Sequence, residues 1–236
     1  MFAQLECDRD AAILHRVLLP GTPLTANDRV AAAYRIIRTR LLHTIRSNNL
    51  KSVAITSPGP GEGKTVTSLN LALSLARDPT SSVFLLDLDM RNPSVCRYLG
   101  VRPARELISF FTGNSAAAEV LFSIGPGNLA IAGNVAGTDL ASELLGSGQL
   151  EALLAYITSV SADAIVLLDL PPVLVTDEAL LVAPRVDATL LVVSEGRTRR
   201  DSLARAVSVL AEFPSAGVIL NCSNEANERS GYYYNY

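Results

Sequence analysis

The sequence predicts a three-layer α/β fold, a mainly parallel sheet with helices on both faces, and three observations predict it. Short apolar runs of strand length recur along the chain with helical patterns between them. The runs are near-continuous rather than alternating, as strands buried on both faces require. At 236 residues, 49% hydrophobic and 18% charged, the chain has the composition of a globular unit large enough to bury a substantial core.

The elements follow in order. Residues 1–25 read as an irregular or partly helical leader closed by Leu19-Pro20-Gly21-Thr22-Pro23, where two prolines deny a continuous helix. The globular unit is expected over 26–222. Its first element is a long amphipathic helix over about 26–47: Val30, Ala33, Tyr34, Ile37, Leu41, Leu42 and Ile45 recur at three and four, with the arginines largely off that stripe. A β-branched strand over 52–56 comes next, ended by a Gly/Pro cluster, and then a helix over 66–77. Further strands are expected at 83–87, 129–132, 164–168, 188–193 and 217–220. Residues 223–236 form a polar, tyrosine-rich tail outside the core pattern.

Composition also excludes function classes. A net charge of −3 argues against a general nucleic-acid binder, whose affinity comes from phosphate neutralisation. Three cysteines, Cys7, Cys96 and Cys222, without CxxC or Cys/His spacing indicate neither a disulfide framework nor a zinc site, and read as buried thiols. His15 and His43 lie far in sequence from any acidic motif, so a His-based triad has no support. No apolar run reaches the roughly 20 residues of a membrane span, and the first ten residues do not read as a secretory signal. A cytoplasmic location is expected.

Three motifs carry chemistry. Pro58-Gly59-Pro60-Gly61-Glu62-Gly63-Lys64-Thr65 joins a strand to a helix and is a P-loop with Pro58 where the strict pattern has glycine. Residues without Cβ let backbone N–H groups converge on phosphate, Lys64 reaches the β/γ oxygens and the Thr65 hydroxyl ligates Mg²⁺. The strand at 83–87 runs into Asp87-Leu88-Asp89, two carboxylates at the sheet edge where ligands of open α/β sheets bind. The strand at 164–168 ends in Asp169 before Pro171-Pro172, the form of an acid that holds Mg²⁺ through water. Lys64 is one of only two lysines in the chain.

On Ala33-Tyr34-Arg35-Ile36-Ile37-Arg38-Thr39, the P-loop from Thr56 to Thr65, Asp87-Leu88-Asp89-Met90-Arg91-Asn92-Pro93, Asp169-Leu170-Pro171-Pro172-Val173 and the terminal tyrosines, residues 26–236 resemble the bacterial tyrosine autokinases of capsule and exopolysaccharide synthesis, in their single-domain cytoplasmic form. The resemblance implies a P-loop NTPase fold and a protein-tyrosine kinase, using ATP and Mg²⁺, that phosphorylates Tyr232, Tyr233, Tyr234 and Tyr236. It implies ATP contacts from Gly59, Pro60, Gly61, Glu62, Gly63, Lys64, Thr65 and Val66, with Asn221 where related ATPases read adenine. Lys64, Asp87 and Asp89 would be catalytic, Asp87 as base, and Thr65, Asp87, Asp89 and Asp169 would form the metal shell. Arg35 and Arg38 match an oligomer-interface motif whose glutamate position is here Ala32. Implied partners are a transmembrane polysaccharide co-polymerase acting as activator, further copies of the chain and a tyrosine phosphatase, with attachment to the inner face of the membrane through the activator.

Two other functions fit the same motifs. A partition or septum-positioning ATPase shares the fold, but has a second lysine at a position that is Gly59 here and often ends in a basic amphipathic helix. A non-catalytic, ATP-dependent adaptor of a polysaccharide exporter needs the same loop and acids.

Overall fold

The computed structural model describes residues 2–19, 28–125 and 128–223. In chain order they form β1 (Ala3–Leu5), α1 (Arg9–Leu14), α2 (Asp28–Asn48), β2 (Ser52–Thr56), α3 (Lys64–Leu75), β3 (Val83–Asp87) and α4 (Val95–Leu99). Next come α5 (Leu107–Phe111), α6 (Ala117–Val120), β4 (Phe122–Ile124), β5 (Leu129–Ala132), α7 (Ala141–Gly146) and α8 (Gln149–Val160). The chain continues through β6 (Ile165–Asp169), α9 (Glu178–Val182), β7 (Ala188–Ser194), α10 (Arg200–Leu210) and β8 (Ser215–Asn221).

The eight strands make one sheet in the order β1-β4-β5-β3-β6-β2-β7-β8. Every neighbouring pair is parallel except β4 with β5. All six strands expected from apolar runs are present within one or two residues of their expected limits. The reason is visible in the burial: β2, β3, β5, β6 and β7 have no residue facing water.

Two cores flank the sheet, and period-2 alternation assigns each strand residue to one of them. Ala54, Phe84, Leu86, Ala132, Val166, Leu168 and Leu191 face a core closed by Leu107 and Phe110 of α5, Leu145 of α7, Leu150, Leu153 and Ile157 of α8, and Leu210 of α10. Val53, Ile55, Leu85, Ile131, Leu167 and Val192 face the other, closed by Leu41 and Ile45 of α2, Leu69, Leu71 and Leu75 of α3, and Val95 and Leu99 of α4. This is the three-layer arrangement that the sequence predicts.

The leader differs from expectation. Residues 3–5 form β1, at one edge of the sheet and paired to β4, so the globular unit does not start at residue 26. Both strands are only three residues long, too short to show a periodic signal. α1 then packs on α4: the Asp8 N–H donates to the Leu99 carbonyl at 2.9 Å, and the Asp8 side chain caps α1 at the Asp10 and Ala11 N–H groups. His15 stacks on Tyr98 with ring centroids 4.1 Å apart, in keeping with a packed rather than catalytic histidine. Cys96 is buried as expected, Cys7 is half-buried, and Cys222 departs from expectation by being exposed just past the edge strand β8.

The leader's docking rests on Gly100. It terminates α4 at φ 64°, and a Cβ there would lie 2.3 Å from the Asp8 Cβ. Gly100→Ala is therefore expected to lower stability by more than about 1 kcal/mol, part of it left-handed backbone strain and part the clash with α1. Denaturant unfolding of Gly100→Ala with and without Asp8→Gly checks this, since removing the Asp8 Cβ should return only the clash.

Candidate active site

The site forms where β2, β3 and β6 end side by side. β2 delivers the P-loop, which turns at Gly61 (φ 74°) and Gly63 (φ 91°) before α3 begins at Lys64. Gly63 cannot be replaced without displacement, because a Cβ there would stand 2.0 Å from Asn221 Nδ2. No side chain caps α3. Its first N–H groups therefore end at the loop with no intrahelical partner.

A cavity of about 420 Å³ opens over this end of the sheet. Pro60, Gly61, Gly63, Lys64, Thr65 and Val66 of the loop line one side, and Asp89, Arg91, Asn92, Ser94, Tyr98, Pro171, Pro172, Val175 and Thr176 the remainder. Three residues expected to touch nucleotide, Gly59, Glu62 and Asn221, are not among those lining the cavity. The Gly59 carbonyl accepts from Ser57 Oγ at 2.7 Å. Glu62 is buried, and burial pushes its carboxyl up. Asn221 Nδ2 donates to the Glu62 carbonyl at 2.9 Å, so the end of β8 braces the loop. Arg197 also braces it by donating from Nη1 to the Gly61 carbonyl.

Four charged groups converge beneath the loop. Lys64 Nζ lies 2.7 Å from Asp89 Oδ2 and 3.8 Å from Asp169 Oδ2, with its side chain only 11% exposed. It is not the exposed loop lysine that a glycine-rich turn suggests. Asp169 accepts from the Thr65 hydroxyl at 2.6 Å and from Ser68 Oγ at 3.0 Å. Asp87 pairs in register with Asp169 across β3 and β6. Its Oδ2 accepts the Ser94 and Val95 N–H groups at 2.9 Å, and its buried Oδ1 has no hydrogen-bond partner.

Asp87 and Asp89 do not act as one pair of strand-end acids. β3 stops at Asp87, which turns to the start of α4, while Asp89 faces the cavity and Lys64.

The electrostatics follow from one amine among these carboxylates. Burial alone would lower the Lys64 pKa, but Asp169, Asp89 and Asp87 outweigh it and hold the ammonium charged. Asp87 is pushed up to about 8 by burial first and by the Asp169 charge second. Burial also raises Asp169, against the opposing pull of Lys64, Thr65 and Ser68. Negative charge is in surplus, which suits a divalent cation. Among the described residues no group of three or more His, Cys, Asp or Glu could hold a metal alone. Mg²⁺ in nucleotide sites takes one or two carboxylates plus phosphate oxygens, and Thr65, Asp169 and the unpartnered Asp87 Oδ1 fit that requirement.

The remaining expected residues are placed as follows. Arg35 is exposed on α2, whereas Arg38 is half-buried and donates from Nη1 to the Ser74 carbonyl at 3.1 Å, tying α2 to α3. Tyr232, Tyr233, Tyr234 and Tyr236 lie outside the described residues.

A titration tests the charge surplus. A carboxyl whose folded pKa of about 8 exceeds its unfolded value stabilises the fold below the unfolded value, and that contribution is lost as pH rises through about 8. Metal-free wild type is thus expected to lose thermal stability between pH 6 and pH 8.5 more steeply than Asp87→Asn. Parallel melting curves for the two would refute the shift.

No protein-family model matches the chain. It is 29% identical over 232 residues to the tyrosine-protein kinase YwqD of Bacillus subtilis, covering 98% of this chain and 95% of that one. The crystal structure of the VpsO kinase domain superposes with a TM-score of 0.72 at 29% identity, covering 83% of this chain and 96% of that one. The kinase domain of the Escherichia coli tyrosine kinase ETK superposes with a TM-score of 0.76 at 23% identity over 93% and 88%, a likeness of fold. With a P-loop braced from β8, an acid from each of two neighbouring strands under it, and relatives of this kind along nearly its whole length, the chain is similar to the bacterial tyrosine kinases in sequence, fold and site.

Proposed function

We propose that the chain is an ATP-dependent protein-tyrosine autokinase that phosphorylates its C-terminal cluster, Tyr232, Tyr233, Tyr234 and Tyr236, and thereby regulates exopolysaccharide or capsule synthesis. The observation that carries it is the convergence of Lys64, Thr65, Asp87, Asp89 and Asp169 at one end of the sheet, under a cavity roomy enough for phosphates and an acceptor. Relatives named tyrosine-protein kinases support this reading over an exporter adaptor or a partition ATPase.

The residues divide the work. The loop amides and the start of α3 bind the phosphates, and Gly61 and Gly63 let the backbone approach them. Lys64 leaves Asp89 for the phosphate oxygens, where its charge stabilises the transfer. Thr65, Asp87 and Asp169 would hold Mg²⁺, which would neutralise charge on the nucleotide. Asp89, released by Lys64, faces the cavity, and Asp87 below it has an unpartnered oxygen. Asp89 takes up the tyrosine proton, while Asp87, the base that the resemblance implies, holds a proton of its own at rest and lies below the cavity wall. Asn221 positions the loop from behind and carries the tail root beside it. About eleven residues separate Asn221 from the first acceptor tyrosine, an extended reach of roughly 35–40 Å.

Among the described residues no helix is long and apolar enough to cross a membrane. The reading includes, as the resemblance implies, a transmembrane co-polymerase that recruits and activates the kinase at the inner face of the membrane. Self-association through the Arg35 face and reversal by a tyrosine phosphatase complete it.

Two experiments test the reading. After incubation with ATP and Mg²⁺, mass spectrometry should find phosphate on residues 232–236, and a chain ended at Ser230 should take up none. Phosphate only elsewhere, or an unmodified tail in an ATP-hydrolysing protein, would move the function to the adaptor. Lys64→Met should abolish transfer and also destabilise the fold by about 3 kcal/mol at pH 8, less at pH 6 where Asp87 is protonated. Full stability of Lys64→Met at both pH values, followed by denaturant unfolding, would contradict the buried-pair account.

A further inference from the structure

Arg91 and Glu178 form an ion pair that neither the P-loop chemistry nor the metal shell uses. Glu178 opens α9, and its side chain is 1% exposed. Its Oε1 accepts from Arg91 Nε across 87 residues of sequence. The guanidinium is held at a second point, where Nη2 donates to Ser142 Oγ at 3.3 Å, and that hydroxyl donates to Asp177 Oδ1 at 2.8 Å. The Arg91 backbone is fixed as well. The Thr138 N–H donates to the Met90 carbonyl at 2.8 Å, and a Cβ at Gly137 would lie 2.1 Å from the Arg91 carbonyl oxygen.

A buried carboxylate is costly unless it is paired, and a surface ion pair of this type contributes little to stability. Here the carboxylate is buried while the arginine remains 35% exposed and lines the same cavity as Gly63, Lys64 and Thr65. Because Nε faces Glu178, part of the guanidinium fork remains for a ligand in that cavity. Planar, preorganised guanidinium donors match phosphate oxygens. In the resting site Lys64 is engaged by Asp89, so Arg91 is the cation of the cavity wall that does not have to leave another cavity-wall residue to meet phosphate.

We infer that Glu178 is a positioning residue, which through Arg91 presents a fixed guanidinium to the phosphoryl group as it passes to the acceptor. The inference rests on the kinase reading. It assigns the loop and Lys64 to the phosphoryl donor and Arg91 to the acceptor, for whose tyrosine ring Tyr98, Pro172 and Val175 of the same cavity lining offer apolar surface.

The test uses the full chain with Arg91→Ala, Arg91→Lys, Glu178→Gln and the double variant Arg91→Ala/Glu178→Gln. Fluorescent ATP-analogue affinity, melting temperature and the rate of tail phosphorylation at saturating ATP are measured for each. Arg91→Ala should lower that rate by about 10²-fold, and Glu178→Gln by about 10-fold, with nucleotide affinity changed less than about 3-fold. The double variant should be no slower than Arg91→Ala, because both act through one guanidinium. Arg91→Lys should recover only part of the rate, as a point charge replaces the fork. A Glu178→Gln chain that melts earlier but transfers phosphate at the wild-type rate would make the pair merely structural and overturn the inference. Multiplying losses in the double variant would do the same. Wild type unable to phosphorylate its tail would instead remove the kinase reading, and this inference with it.

Discussion

One lysine among three carboxylates under the P-loop is the constraint on which the site depends. Parallel pairing of β3 and β6 sets Asp87 opposite Asp169, and the turn after β3 brings Asp89 to the same place. Like charges this close would repel strongly in a dry interior, and the structure answers in three ways: it supplies Lys64, it donates hydroxyl and amide hydrogens, and it leaves Asp87 to hold a proton. The surplus is a stability cost, and on the proposed function a cation would relieve it. Sites that bind charged ligands generally keep such strain, and the two apolar cores on either side of the sheet are what offset it.

The elements around the cluster are arranged by this demand. β2, the strand that delivers the loop, lies between β6 and β7, both parallel to it, so it has no open edge and its end is rigid. The loop is then braced from the far side by residues that follow β7 and β8, Arg197 and Asn221. The same β8 leads into the tail, so the position of the tail root and that of the phosphate loop are mechanically linked.

Much of this was legible in the sequence, and the failures have physical causes. Strands buried on both faces read as continuous apolar runs, so five are legible, and the exposed edge strand β8 carries a similar run; β1 and β4, three residues each, have no period to detect. The P-loop and both acidic strand ends were legible because local geometry determines them. The direction of Lys64 was not, since it depends on carboxylates 25 and 105 residues away that only the sheet brings together. Asn221 reads as a nucleotide contact in the sequence, and its bond to the Glu62 carbonyl, 159 residues away in sequence, depends on the sheet and carries no local signal. Arg91 stood in a recognised motif without a role, because its partner Glu178 lies in a helix whose five residues carry no motif.

The resting geometry also explains how one site can wait without reacting. With Lys64 on Asp89, the cavity-facing acid is neutralised and the amine is withheld from phosphate. On the proposed function, a triphosphate would compete for that amine, freeing Asp89 and leaving the buried acids short of a positive charge. A divalent ion held by Thr65 and Asp169 would fill that deficit. Nucleotide and metal would then favour one another through the charge balance of the site, a coupling between two ligands that needs no movement of the sheet.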